Sequence, residues 1–240
     1  MSTAPPFWDE VFDPAFAGAD SLLPFRTVSH ALAAKAEVIL DVGCGRGAWV
    51  ADGIYRPLED FRGEGRRVIG IDVDPNAAQN KTIDEFHLID ESGAWPVPDA
   101  SVDVAICDWV IEHVTDPQGF VRELTRVLRP GGAFIARSVS RYSVLALAAR
   151  SVPNAKHAKV VAKLQPGRQA ADVFPTAYQM NSEKALAELF GRDFDWSVSH
   201  LGGLNHYFHP WPRLARTIAV CEPRLPKAMR TTIVLYARKK

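Results

Sequence analysis

The chain has 240 residues, 47% of them hydrophobic, and its 28 Lys and Arg balance 28 Asp and Glu. That length supplies one sizeable core, and zero net charge points away from nucleic acid, whose binding is driven by phosphate neutralisation. The three cysteines, Cys44, Cys107 and Cys221, form no Cys-x-x-Cys pair, which argues against a disulfide framework or a structural zinc site.

A reducing cytoplasm is the expected setting, and no metal is expected. The first residues, with Pro5, Pro6, Asp9 and Glu10, lack the apolar region of a signal peptide, and apolar runs such as 144–149 are too short to span a bilayer. Phe7, Trp8, Phe12 and Phe16 are spaced for an amphipathic helix packed on the core, with a lid as the alternative. Short apolar runs bounded by turn residues follow at 38–42, 67–72, 86–90, 102–108 and 133–138. Interleaved with helical patterns, they predict a parallel sheet covered by helices. Asp116-Pro117 opens a helix as N-cap and first-turn proline, Phe120, Val121, Leu124, Val127 and Leu128 form its apolar stripe, and Pro130-Gly131-Gly132 ends it.

Residues 142–180 read as helical and irregular, and 182–190 as a helix capped by Asn181 or Ser182. The last strands are expected at 196–200 and 231–237, joined by a Pro- and aromatic-rich connection over 202–230.

The run Asp41-Val42-Gly43-Cys44-Gly45-Arg46-Gly47-Ala48 carries the chemistry. A glycine turn after a buried strand lets backbone approach a ligand and offers the free N–H groups of the next helix. As Gly43-x-Gly45-x-x-Ala48 the run fits a dinucleotide fingerprint, and as Asp41-x-Gly43-x-Gly45-x-Gly47 it fits S-adenosylmethionine. Asp41 tips the choice, since a carboxylate at the strand tip repels a pyrophosphate and accepts hydrogen bonds from an ammonium. Asp72 ends the second strand where an acceptor for ribose hydroxyls is expected, which suits either cofactor, while Asp74 suits a cap ahead of Pro75. Asp90 and Glu91 end the third strand, where a carboxylate can accept from the adenine amine, although acids are also common in turns.

With LDVGCGRGAW, VIGIDVDP, WPVPDASVDVAICDWVIEHVTDP and ELTRVLRPGGAF in that order, residues 36–140 resemble the class I S-adenosylmethionine-dependent methyltransferase family, in its broad small-molecule, type 11-like branch. The resemblance implies an α/β, Rossmann-like fold with a seven-stranded, mostly parallel sheet in the order 3-2-1-4-5-7-6, strand 7 antiparallel, and helices on both faces. The chain length predicts one domain over 1–240. A helical segment at 1–35 precedes the cofactor-binding core at 36–140. A helical insertion or lid at 141–180 follows, and residues 181–240 carry the last helix and strands, with an acceptor-side connection at 202–230. S-adenosyl-L-methionine is the implied cofactor. Asp41, Gly43, Cys44, Gly45 and Gly47 would contact its methionine part, Asp72 and Val73 the ribose, Asp90 and Glu91 the adenine, and Asp108 and Trp109 the sulfonium region. Glu91 departs from the family, which often has a small or apolar residue there.

The acceptor is less legible. Methyl transfer from a sulfonium needs collinear alignment, and a base only when the acceptor is protonated. His113, His206 and His209 are the candidate bases. His113 equally suits a packed or capping role, and His206-x-x-His209 an aromatic latch. Arg141, Tyr142, Tyr178 and Tyr207 are candidates for the substrate pocket. No acid occurs between Glu123 and Asp172, while Arg137, Arg141, Arg150, Lys156, Lys159, Lys163 and Arg168 do. That is a solvated basic face, or a cover that attracts an anionic acceptor or lies on an anionic lipid surface. The expected activity is methyl transfer to a small-molecule or glycan acceptor, at oxygen. The alternatives are transfer to nitrogen, a catalytically inactive cofactor-binding subunit, and an NAD-dependent oxidoreductase, which Asp41 disfavours.

Overall fold

The computed structural model describes residues 21–47, 56–63, 65–150, 175–204, 208 and 211–240. Helix α1 (Leu22–Ala33) leads into β1 (Val38–Val42), followed by the short helix α2 (Arg56–Glu59), β2 (Arg67–Asp72), β3 (Glu85–Leu88) and β4 (Val102–Asp108). Helix α3 (Pro117–Val127) then precedes β5 (Leu128–Val139), and α4 (Val144–Arg150) and α5 (Glu183–Phe190) precede β6 (Phe194–Leu201). The chain closes with α6 (Pro212–Cys221), two short 3-10 turns and β7 (Thr232–Lys239).

The strands form one seven-stranded sheet in the order β3-β2-β1-β4-β5-β7-β6. β7 runs antiparallel to both β5 and β6, and the other pairs are parallel. β1, β2 and β4 are near-continuous apolar runs because both faces of a parallel sheet are covered. Alternate residues feed two cores. Leu40, Ala105, Phe134 and Leu235 pack with Leu124, Val127, Leu186 and Phe190 from α3 and α5. Ile39, Val104, Ile135 and Val234 pack with Phe25 and Val28 of α1. Leu124 and Phe25 are fully buried, each contributing about 1.5–3 kcal/mol.

Local chemistry sets the ends. Asp116 caps α3 by accepting from Gly119 N at 3.0 Å, with Pro117 in the first turn. Ser182 caps α5 by accepting from Ala185 N. Asp74 accepts from Asn76 N ahead of Pro75.

Two expectations need correction. Pro130-Gly131-Gly132 lies inside β5 rather than ending a helix, because the ladder shifts register between Val102↔Leu128 and Val104↔Ala133 and absorbs these residues as an irregularity. The 202–230 connection contains α6, whose Pro212 occupies the favourable first turn. Strands expected at 86–90 and 196–200 run over Glu85–Leu88 and Phe194–Leu201. Phe7, Trp8, Phe12, Phe16, Lys156, Lys159, Lys163, Arg168, His206, Tyr207 and His209 lie outside the described residues.

β1 lies between β2 and β4, where the strand order reverses, so a crevice opens beyond the carboxyl ends of these strands. The β6–β7 connection returns to the same end, because Leu201 pairs with Thr232 and Thr232 with Val139 at the carboxyl end of β5.

Candidate active site

The glycine loop leaves β1 at this crevice. Gly43, Gly45 and Gly47 have φ of +72°, +52° and +65°, a region that penalises any Cβ. Gly43 N donates to Ile71 O at 2.8 Å, tying the turn to β2. Asp72 holds the loop with both oxygens: Oδ2 accepts from Gly45 N and Oδ1 from Asp74 N, each at 2.8 Å. Asn80, which sequence reasoning missed, donates from Nδ2 to Cys44 O at 2.8 Å while its Oδ1 accepts from Thr82 N and Oγ1. The Cys44 side chain packs over Gly70, where a Cβ would meet Sγ at 2.8 Å. Burial and the nearby Asp41 and Asp72 push its thiol far up.

The glycines differ in a measurable way. A Cβ on Gly43 would meet Val110 Cγ2 at 2.3 Å, whereas one on Gly45 meets open space. Gly43→Ala is therefore expected to lower unfolding free energy by about 2–4 kcal/mol, from strain plus overpacking. Gly45→Ala should cost only about 1–2 kcal/mol, from backbone strain alone. Urea titration of both variants checks this.

Behind the loop lies a cluster of charges. Asp108, at the tip of β4, accepts from Arg137 Nε at 2.7 Å and Arg137 Nη2 at 2.8 Å, and from Arg26 Nη2 at 3.0 Å. Arg26, projecting from α1, also pairs with Glu59. Burial works against the Asp108 charge, but Arg137 and Arg26 prevail and hold its carboxyl below the usual range. Among the described residues Asp41 has no such pairing. Burial, and the charges of Asp108, Glu59 and Asp72, push its carboxyl up to about 7 against the pull of Arg26. Three carboxylates, Asp41, Glu59 and Asp108, thus share two guanidinium groups, with Asp72 close enough to act on Asp41, a surplus that suits a cationic ligand. Arg26 Nε is buried without a hydrogen-bond partner. Arg26 and Glu59 escaped sequence reasoning, since nothing local to α1 signals a partner 82 residues away.

Trp109 follows at φ +58°, its N–H donating to Arg137 O at 2.9 Å. The Arg137 guanidinium lies 5.1 Å from the Trp109 ring centroid and 5.1 Å from that of Phe25, stacking distances that fix both side chains. Val73, beside Asp72, is 62% exposed. Asp90 and Glu91 are exposed beyond β3, and Asp90 Oδ1 accepts from Ser92 N at 2.9 Å and Ser92 Oγ at 2.5 Å. Those bonds hold the Asp90 carboxyl low.

On the other side of β4, residues 175–181 form a strap. Ala177 N and Tyr178 N donate to Glu112 O at 2.7 and 3.0 Å. His113 Nδ1 is 2.9 Å from Pro175 O. With that nitrogen as the donor, Nε2 carries the lone pair of the neutral ring. Arg141 donates from N to Asn181 O at 2.8 Å and from Nη1 to Tyr178 O at 3.2 Å. The structure therefore brings His113, Arg141 and Tyr178 together, while Tyr142 is 49% exposed. Beneath the strap the buried Glu112 accepts from Ser138 Oγ at 2.6 Å, and Asn181 Nδ2 donates to the same Ser138 Oγ at 2.7 Å. Burial raises the Glu112 carboxyl despite the Ser138 hydrogen bond. Among the described residues no group of three potential metal ligands occurs, and no helix is long and apolar enough to cross a membrane.

Known proteins share this frame. A family model described as a methyltransferase domain matches residues 40–136. A protein of Mycolicibacterium smegmatis described as a probable S-adenosylmethionine-dependent methyltransferase is 37% identical over 122 residues, 49% of this chain and 43% of that protein. The thiol S-methyltransferase TMT1A of Homo sapiens is 37% identical over 106 residues, 40% of each. The chain thus spans less than half the length of the curated relatives it matches. A crystal structure of a SAM-dependent methyltransferase from Aquifex aeolicus superposes with a TM-score of 0.52 at 17% identity, covering 98% of this chain and 94% of that one, a likeness in fold. The matched segment, residues 40–136, spans the glycine loop and the acids at the tips of β2 and β4, and it is in this segment that the chain is similar to S-adenosylmethionine-dependent methyltransferases.

Proposed function

We propose that the protein transfers the methyl group of S-adenosylmethionine to a small-molecule acceptor, at an oxygen atom. The observation that carries the cofactor half is the pair Asp41 and Asp72 on either side of the positive-φ glycine loop, with open space where a Cβ on Gly45 would point. The bound cofactor supplies an electrophilic methyl group on a sulfonium centre. Asp41 accepts from its ammonium group, and the acid surplus around Asp41 favours a cation. The unpartnered Nε of Arg26 donates to its carboxylate. Asp72, with lone pairs left over after binding Gly45 N and Asp74 N, accepts from the ribose hydroxyls, beside Val73. The glycine loop at Gly43, Cys44, Gly45 and Gly47 lies along the methionine part, Asp90 and Glu91 stand at the adenine, and Trp109 closes the sulfonium side. Asp108 acts through Arg26 and Arg137 rather than as a free carboxylate.

His113, which follows β4 and is held by its Nδ1 contact with Pro175 O, is the described residue assigned to take an acceptor proton. Arg141 and Tyr178 border the acceptor space. His206, His209 and Tyr207 are kept as acceptor-side candidates from their sequence position alone. Transfer to nitrogen is the second reading, and it would leave His113 dispensable.

The test is incubation of the protein and methyl-labelled S-adenosylmethionine with small-molecule extract of its source organism, followed by mass spectrometry. One labelled methyl gained by an extract component, with loss of that gain in the Asp41→Asn variant, is the expected result. Labelled donor that stays intact over many cofactor equivalents, despite tight cofactor binding, would favour the inactive-subunit reading.

A further inference from the structure

Asn181 is fully buried, yet among the described residues its side-chain Oδ1 has no hydrogen-bond partner. An orphaned oxygen in the interior destabilises the fold, and a leucine of similar size would avoid that loss. The other end of the amide is fully used. Nδ2 donates to Ser138 Oγ at 2.7 Å and to Val139 O at 2.8 Å. Because Ser138 Oγ accepts there, its own proton is left for Glu112 Oε2 at 2.6 Å. A directed chain, Asn181 to Ser138 to Glu112, therefore runs from the end of the strap to the residue before His113.

The strap is tied to the same segment at further points. Ala177 N and Tyr178 N donate to Glu112 O, Gln179 Nε2 donates to Thr115 O at 3.2 Å, and His113 Nδ1 meets Pro175 O. Tyr178 is held at φ +51°, a conformation that a non-glycine residue keeps only where its surroundings over-determine it. A carbonyl oxygen can only accept, so the contact at Pro175 fixes the proton on Nδ1 and puts the lone pair of the neutral ring on Nε2. Pro175 has no N–H to anchor it. Its carbonyl stays opposite the ring only while the strap is seated from 177 to 181.

We propose that Asn181 is a positioning residue for methyl transfer: through Ser138 and Glu112 it seats the strap, which holds His113 in the tautomer with its lone pair on Nε2. The role rests on His113 as the group that takes the acceptor proton. Nε2 takes the proton of the acceptor hydroxyl as that oxygen forms its bond to the methyl carbon, whose bond to sulfur breaks with the electron pair left on sulfur. Nδ1–H keeps its bond to Pro175 O throughout, and the carbonyl dipole favours the imidazolium that results.

Long-range proton–nitrogen NMR spectra of the full chain test this without cofactor or acceptor, at pH 8, above the usual titration range of histidine. They read the proton position on each ring, and His113→Gln identifies the His113 signals. The wild-type ring is expected to carry its proton on Nδ1. Asn181→Leu should invert it to Nε2–H, the form that free histidine rings favour, with the amides of Ala177 and Tyr178 exchanging about tenfold faster. Ser138→Ala breaks the chain in its middle and should invert the ring too, and it carries the test if circular dichroism shows Asn181→Leu unfolded. Lower stability alone does not move a tautomer in folded protein, so a folded variant that keeps Nδ1–H would overturn the proposal. So would a wild-type ring protonated on Nε2. Methyl transfer that survives in His113→Gln would instead overturn the assignment of the proton to His113, with the ring state standing as measured, which tells the two failures apart.

Discussion

Replacing Asp41 with Asn is expected to stabilise the protein without ligand at pH 8 while weakening S-adenosylhomocysteine binding. The two effects share one cause. Burial, together with Asp108, Glu59 and Asp72, raises the Asp41 carboxyl to about 7 from 3.8. The folded state therefore prefers the protonated acid, so the stability this group contributes is full below about pH 4 and is lost as pH rises through 7. Three pH units correspond to at most about 4 kcal/mol, and relaxation around the site brings the expected gain of Asn at pH 8 to about 1–3 kcal/mol. Binding moves the other way. Loss of a charge-assisted partner for the ligand's ammonium costs roughly 2–3 kcal/mol, or about 30- to 150-fold in Kd. In the wild type, Kd should rise about tenfold per pH unit below 7 and level off above it, since the ligand must find the acid ionised. Thermal melts and calorimetry across pH measure both arms. Asn that destabilises at pH 8, or a pH-independent Kd, would remove Asp41 from this role.

Arg26 gives the second large effect. Arg26→Met leaves Glu59 and Asp108 with one fewer buried partner and is expected to cost about 3–5 kcal/mol of stability at pH 8, from uncompensated buried charge. Arg26→Lys keeps the charge and loses the unpartnered Nε donor. It should weaken S-adenosylhomocysteine binding about tenfold, the worth of one charge-assisted hydrogen bond, and leave 5′-methylthioadenosine, which has no amino-acid end, unchanged. A lysine variant that weakens both ligands equally would show that Arg26 only supports the loop.

The parts of the fold that sequence made legible are those in which local pattern and tertiary demand agree. β1, β2 and β4 begin and end at the residues their apolar runs suggested, because a strand buried on both faces has little freedom in composition. β5 was half hidden, since Pro130-Gly131-Gly132 carries the signature of a break and only the shifted ladder with β4 recruits it. Helix α6 was hidden by its Pro- and aromatic-rich surroundings, although Pro212 ahead of Arg213-Leu214-Ala215-Arg216 is a sound helix start.

The candidate site divides the same way. The glycine loop, Asp41 and Asp72 lie within one βαβ unit and could be read together. The ties of Asp108 to Arg26 and Arg137, and of Asn80 to the Cys44 carbonyl, join residues 29 to 82 positions apart. Such pairings follow from topology, and no local period announces them. The same holds for the strap at 175–181, which places His113 beside Tyr178 and Arg141 only once β4 and β5 are side by side.

Calorimetric titration of the protein at pH 8 with S-adenosylhomocysteine and, separately, with NAD tests the central claim most directly. One-site binding of the thioether, absent or at least tenfold weaker in Gly45→Ala because its methyl group occupies the space beside the loop, and no heat with NAD, is the predicted result. Binding of NAD with none of S-adenosylhomocysteine would contradict it.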